Sequence, residues 1–108
     1  LKLKMKFIGK SVITQGNLNN NHLYLRAFIN KFPNHLIGGK NKISAAIHKA
    51  KVHADGNIIE TDIDGEKGIF RARSWVRNFL KNNQAKRGDH IAVYEIFPNE
   101  YLVKIVSD

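Results

Sequence analysis

Acidic, imidazole and basic side chains with the right chemistry are present in this chain, and their spacing decides which reactions remain open. Asp62-x-Asp64-x-Glu66 begins like a calcium loop, with oxygen ligands at alternate positions. Lys67 then stands where the sharp turn needs Gly, and Arg73 where a bidentate Glu would close the coordination, so calcium is set aside. His48 and His53 are five residues apart, with no Cys or third ligand at metal spacing, which favours solvated or core histidines over zinc. Glu66 directly precedes Lys67, whereas the metal-dependent nuclease pattern keeps a residue between carboxylate and lysine. No Ser-His-Asp order or Gly-rich phosphate loop stands out. Arg87-Gly88-Asp89 spells an adhesion tripeptide, but a tight turn before a strand accounts for it. The chain is expected to be a non-catalytic recognition module without metal or cofactor, any cleavage residing in another domain.

Charge identifies the partner such a module would recognise. Ten Lys and Arg fall among the first 54 residues with no Asp or Glu between them, and all nine acids lie from Asp55 onward. A purely cationic half-chain favours a polyanion that can exchange counterions for its charge, and nucleic acid does this best. At 108 residues with 43% apolar content, the chain is one domain able to bury a single core. It has no Cys, which excludes disulfides and Cys-ligated zinc. No apolar run approaches the roughly 18 residues of a membrane span, and no signal peptide is visible. No membrane partner is therefore expected. The start at Leu1 rather than Met suggests a domain cut from a longer protein.

The elements that must position these charges read mainly as β. Leu1 to Phe7 alternates strictly, with Leu1, Leu3, Met5 and Phe7 on one face and Lys2, Lys4 and Lys6 on the other, which predicts a half-buried strand. Gly9 to Asn21 is polar and Asn-rich, read as a long loop or arm. His22 to Arg26 is a short strand, followed by a short helix through Phe28, Ile29 and Phe32 that Pro33 closes. Ile37-Gly38-Gly39 is a turn. Ile43 to Ala54 fits helix or strand spacing, and strand is favoured. Asp55-Gly56-Asn57 is a hairpin turn into a strand from Ile58 to Ile63, and Asp64 to Gly68 is a loop. Ser74 is expected to cap a helix bearing Trp75, Val76, Phe79 and Leu80 on one apolar stripe, ended by Asn82 and Asn83. That stripe marks Trp75 and Phe79 as core rather than base-stacking platforms. Arg77, Lys81, Lys86 and Arg87 read as a solvated face. Ile91 to Ile96 and Tyr101 to Val106 flank Pro98-Asn99 as a final hairpin. Six or seven strands with two short helices suit a small closed or nearly closed barrel.

Asn21-His22-Leu23-Tyr24-Leu25-Arg26, Phe32-Pro33, Ser74-Trp75-Val76-Arg77-Asn78-Phe79-Leu80, Asn83 and Gly88-Asp89-His90-Ile91-Ala92-Val93-Tyr94 together resemble the B-three DNA-binding pseudobarrel. Plant auxin-response and abscisic-acid-response transcription factors carry that domain, and bacterial restriction endonucleases carry relatives of it. The order of elements agrees over nearly the whole chain. Leu25-Arg26 and Ser74 replace the Ile-Pro and Gly usual in plant members, which favours the restriction-endonuclease branch. The fold implied is mainly β with short helices, a seven-stranded open pseudobarrel.

The resemblance implies a grip on the major groove of duplex DNA by two arms. The N-arm falls on Gly9 to Arg26. There Lys10, Ser11 and Thr14 suit phosphates, and Gln15 with Asn17, Asn19, Asn20 and Asn21 suits adenine, with His22 and Arg26 completing the set. The C-arm falls between Thr61 and Arg73. If extended, Arg71 and Arg73 point the same way, as a guanine-reading or phosphate-clamping pair would. Asp62, Asp64 and Glu66 either accept from cytosine or orient the arginines, beside Lys67; a surface ion-pair network is the bland alternative. Sequence-specific duplex binding is thus expected, as the target-recognition or effector domain of a restriction endonuclease. A covalently linked nuclease domain and a bacterial cytoplasmic location accompany that expectation. A plant-type transcription factor, which would be nuclear, is the first alternative. An RNA or single-strand binder using Tyr24, Tyr94 or Tyr101, and a small ribonuclease, are the others.

Overall fold

The computed structural model describes residues 5–107. Its elements in chain order are β1 (Lys6–Val12), α1 (Gln15–Asn20), β2 (Ile37–Gly38), β3 (Ala50–Ala54), β4 (Asn57–Thr61), β5 (Ile63–Asp64), β6 (Ile69–Phe70), α2 (Val76–Asn82), β7 (His90–Phe97) and β8 (Glu100–Val106). Short 3-10 turns at Arg26–Lys31, Asn34–Leu36 and Lys42–Ser44 fill the corners. One sheet has the order β1-β7-β8-β3-β4 and a second the order β2-β5-β6. The fold is mainly β, and its two sheets are open rather than one closed barrel.

Local turn chemistry places the two hairpins where the sequence predicts them. Asp55 and Gly56 both take positive φ (52° and 79°), the conformation a two-residue hairpin demands, and β3 pairs antiparallel with β4 around them. Asn99, with φ 65°, turns β7 into β8. Non-local pairing then joins the halves, because β3 runs parallel to β8 with Val52 opposite Tyr101. His53 Nε2 donates to Glu100 Oε1 across that seam at 2.6 Å. Phe32 bridges the sheets, its ring lying 5.0 Å from Tyr101 and 6.3 Å from Phe70. Val76, Phe79 and Leu80 of α2 are buried, and Trp75 packs edge-on against Phe79, so the stripe is core.

Several expectations are corrected. Residues 1–4 of the expected first strand lie outside the described residues. Of its apolar face, Met5 and Phe7 are half exposed while Ile8 is buried. A bulge between Phe7 and Gly9 shifts the register against β7 and breaks the alternation. Gly9 admits Phe28, whose ring stands 2.4 Å from where a Cβ would lie. Gly9 to Asn21 is not a long loop: β1 continues to Val12, and α1 follows. His22 to Arg26 makes only one bridge, Tyr24 to Ile69, before the 3-10 turn begins at Arg26. Ile37 and Gly38 pair parallel with β5 rather than turning. In Ile43 to Ala54 only the last five residues form a strand, because the preceding loop finds side-chain partners instead of a ladder. Ser74 caps nothing; Trp75 occupies the N-cap position without a side-chain cap bond.

Tyr101 is wholly buried, and its hydroxyl has no hydrogen-bond partner among the described residues. Burial, and secondarily the Glu95 charge, pushes the phenol up to about 12. Tyr101→Phe is therefore expected to leave stability unchanged or raise it by about 1 kcal/mol, since it removes an unpaired polar atom. The raised phenol means that this tyrosine's contribution to stability is fully present below pH 10 and is lost as pH rises toward about 12. Urea midpoints at neutral and strongly alkaline pH check both effects, and the variant should lack this tyrosine's share of the alkaline loss.

Candidate nucleic-acid interface

The segment from Thr61 to Arg73 is organised around a buried carboxylate. Asp62 is 1% exposed, lying between β4 and β5, and binds Arg71 through two bonds, Nε to Oδ1 at 2.7 Å and Nη2 to Oδ2 at 3.1 Å. Asp62 Oδ2 also accepts from the Ala46 amide at 2.8 Å. Arg71 donates further to the carbonyls of Gly39 (2.6 Å) and Asn41 (3.3 Å), so one ion pair moors the loop from Gly39 to Ala46. Burial alone would push the Asp62 carboxyl up. The Arg71 and Ala46 hydrogen bonds, with the charges of Arg71 and Lys49, outweigh it and hold the carboxyl below 3.8. The same partnership raises the Arg71 guanidinium further above its ordinary value. Asp64 is also buried, and its Oδ1 accepts from the amides of Glu66 and Lys67, both at 3.0 Å. The geometry shows Asp62 paired with Arg71 inside the fold, where both hold the loop in place.

This moored loop forms one wall of an open groove of about 600 Å³. Lys40, Lys42, Lys49, Lys67, Arg71 and Arg73 line it against Glu60, Asp62 and Asp64, six bases to three acids. Asp62 and Arg71 neutralise each other, which leaves five bases to two acids and the same positive excess facing solvent. A second concavity, of about 450 Å³, shares Lys67, Ile69 and Arg73 with the first and continues to Asn20, His22 and Tyr24. Arg73 is exposed at the join, and its Nη1 donates to His22 Nδ1 at 3.3 Å. That bond puts the imidazole proton on Nε2, which is buried without a partner among the described residues. Burial, then the charges of Arg73 and Lys67, lowers the His22 pKa from its ordinary value and so favours the uncharged ring.

The expected site residues separate into groove-lining and scaffold groups. Asn20, His22, Asp62, Asp64, Lys67, Arg71 and Arg73 line the joined concavities. Lys10 is exposed on β1, and Ser11 Oγ donates to the Tyr24 carbonyl at 2.8 Å. Arg26 donates to the Glu66 carbonyl, tying the end of the Gly9 to Arg26 segment to the loop after β5, while Glu66 itself is exposed. Gln15 and Asn19 bond each other on the exposed face of α1, and Asn21 ends that helix with φ 53°.

Asn17, expected to read adenine, is instead 2% exposed and structural. Thr14 Oγ1 accepts from its amide while its Oδ1 accepts from the Thr14 amide, a reciprocal capping box, and Nδ2 reaches the His22 carbonyl at 2.9 Å. Asn at this position hides a box usually signalled by Glu or Gln. Asn17→Ala should cost about 1–2 kcal/mol in urea denaturation, as loss of a cap does, and displace His22 from Arg73.

Lys40, Lys42 and Lys49 are the groove residues that motif reading missed, although the acid-free stretch carrying them was visible. Comparison with protein-family models, curated proteins and solved structures found no match to this chain. Among the described residues, no cluster of three or more metal-ligating side chains occurs, and no helix is long and apolar enough to cross a membrane.

Proposed function

We propose that this chain binds double-stranded DNA, with the joined concavities as its contact surface. The observation that carries the reading is the continuity of the two: a lysine-lined groove runs through Arg73 into the Asn20, His22 and Tyr24 concavity. The lysines supply phosphate contacts, which set affinity and register. Arg73 and Asn20, both exposed in the concavity, carry the donors that base edges accept, guanine for the arginine and adenine for the amide. The chain's net charge of +9 adds a long-range field that speeds encounter. Following the B-three resemblance, the proposed role is the target-recognition or effector module of a restriction endonuclease in the bacterial cytoplasm, acting through a linked nuclease domain.

The test is selection of bound duplexes from a random pool, followed by titration of a recovered duplex at several salt concentrations. An enriched short motif is expected, and log affinity should fall with log salt by about 0.9 for each phosphate neutralised. Equal binding of matched and scrambled duplexes would refute sequence recognition. Of the tyrosines that a single-strand binder would need, Tyr101 is buried, Tyr94 is half-buried and packs edge-on against Phe7, and Tyr24 is exposed beside His22. Competition between duplex and single strand at equal salt separates the two readings, and duplex is the expected winner.

A further inference from the structure

Ile43 and Ile47 are each 94% exposed, far more than any other large apolar side chain among the described residues. Both sit on the loop that walls the basic groove, between Lys42 and Lys49. Solvent exposure of this kind ordinarily accompanies a loosely held loop, but this one is braced. The Gly39 amide donates to the Ser44 carbonyl at 2.8 Å, the Ala46 amide to Asp62, and Arg71 to the Gly39 and Asn41 carbonyls. Gly38 lets the loop close down, because a Cβ there would stand 2.5 Å from both the Ala46 amide and Asp62 Oδ2. The fold thus spends a buried ion pair on holding two apolar tips in water.

Resting on the DNA-binding reading above, we infer that Ile43 and Ile47 form an apolar wedge that enters between base steps of the bound duplex and partly unstacks them. Exposed apolar side chains on a rigid, lysine-flanked support are the device by which proteins kink duplex DNA, gaining contact surface in return for lost stacking. The neighbouring charge selects this occupant over an apolar protein face: Lys40, Lys42 and Lys49 flank the tips along the same loop and line the groove it walls, and no acid occurs before Asp55. Two isoleucine side chains also hold fewer carbons than a single myristoyl chain, which itself anchors a protein only marginally to a membrane.

The double variant Ile43→Ser/Ile47→Ser tests the wedge, and because both side chains contact almost nothing it should melt like the native chain. The probes are duplexes recovered by binding from a random pool, with 2-aminopurine replacing successive adenines. Native protein should raise the fluorescence at one or two adjacent positions. The variant should give no rise and bind about tenfold or more weakly, with an unchanged salt slope. A variant that binds and unstacks like the native chain overturns the wedge while leaving DNA binding intact. If the native chain recovers no duplex at all, the DNA-binding reading itself fails and the wedge falls with it. Sedimentation with phosphatidylserine vesicles that depends on both isoleucines, without their affecting unstacking, would overturn it in favour of a lipid surface.

Discussion

Asp62→Ala is expected to destabilise the fold by about 3 kcal/mol, a larger loss than the other substitutions considered for stability. Removing one partner of a buried ion pair leaves the other charge under-compensated, which typically costs about 3–5 kcal/mol, and the 18% exposure of Arg71 argues for the lower end. The Ala46 amide also loses its acceptor. Asp62→Asn keeps an acceptor for that amide and should cost less, about 1–2 kcal/mol. pH separates charge from packing. The Asp62 carboxyl is lowered below 3.8 in the folded chain, so its stabilisation is present above pH 3.8 and is lost as pH falls through the lower folded value. Native protein should therefore weaken below pH 4 more steeply than Asp62→Asn, as read by urea midpoints across an acid series. Hydrogen exchange at the Ala46 amide should accelerate in both variants. An Asp62→Ala variant within about 0.5 kcal/mol of native would show that the pair is not the mooring described here.

The triple variant Lys40→Gln/Lys42→Gln/Lys49→Gln is expected to lower duplex affinity about a hundredfold at low salt and flatten the salt slope by about 3. Each exposed contact contributes roughly fivefold, and each phosphate contact removed takes about one unit from the slope. Because phosphates carry no sequence information, the loss should be uniform across duplexes. Arg73→Ala should behave differently, losing about 1–3 kcal/mol against the preferred base at one position and little elsewhere. Fluorescence anisotropy with matched and singly substituted duplexes distinguishes the two patterns. A triple variant that binds with native affinity and slope would remove the lysine wall from the interface. The Arg71→Ala variant is a poor probe of base reading, because Arg71 holds the wall in place through Asp62, Gly39 and Asn41.

Local signals located both hairpins and the core helix. Asp55-Gly56 and Pro98-Asn99 turn where they do because a positive φ or a fixed φ is a property of one or two residues, independent of the rest of the chain. Val76, Phe79 and Leu80 share a face because helical periodicity is equally local. The charge asymmetry suggested the type of partner now proposed, and three lysines of that acid-free half, Lys40, Lys42 and Lys49, line the groove. Periodicity failed at Met5 and Phe7, which are exposed while Ile8 beside the bulge is buried, and at Thr14 to Asn20, where polar residues conceal a cap and helix.

What the chain determines by itself is therefore which residues turn, which alternate and which bear charge, all properties set within a few positions. Arg71 and Arg73 show what only the tertiary structure decided. The two are the same residue type, two positions apart, and were equivalent as a guanine-reading pair. In the fold Arg71 is bound to a carboxylate nine residues away and a carbonyl thirty-two away, while Arg73 stands exposed at the junction of two basic concavities. A guanidinium serves the scaffold or the ligand according to which acceptors reach within about 3 Å of it, and those acceptors come from distant segments that only the packed sheets bring together.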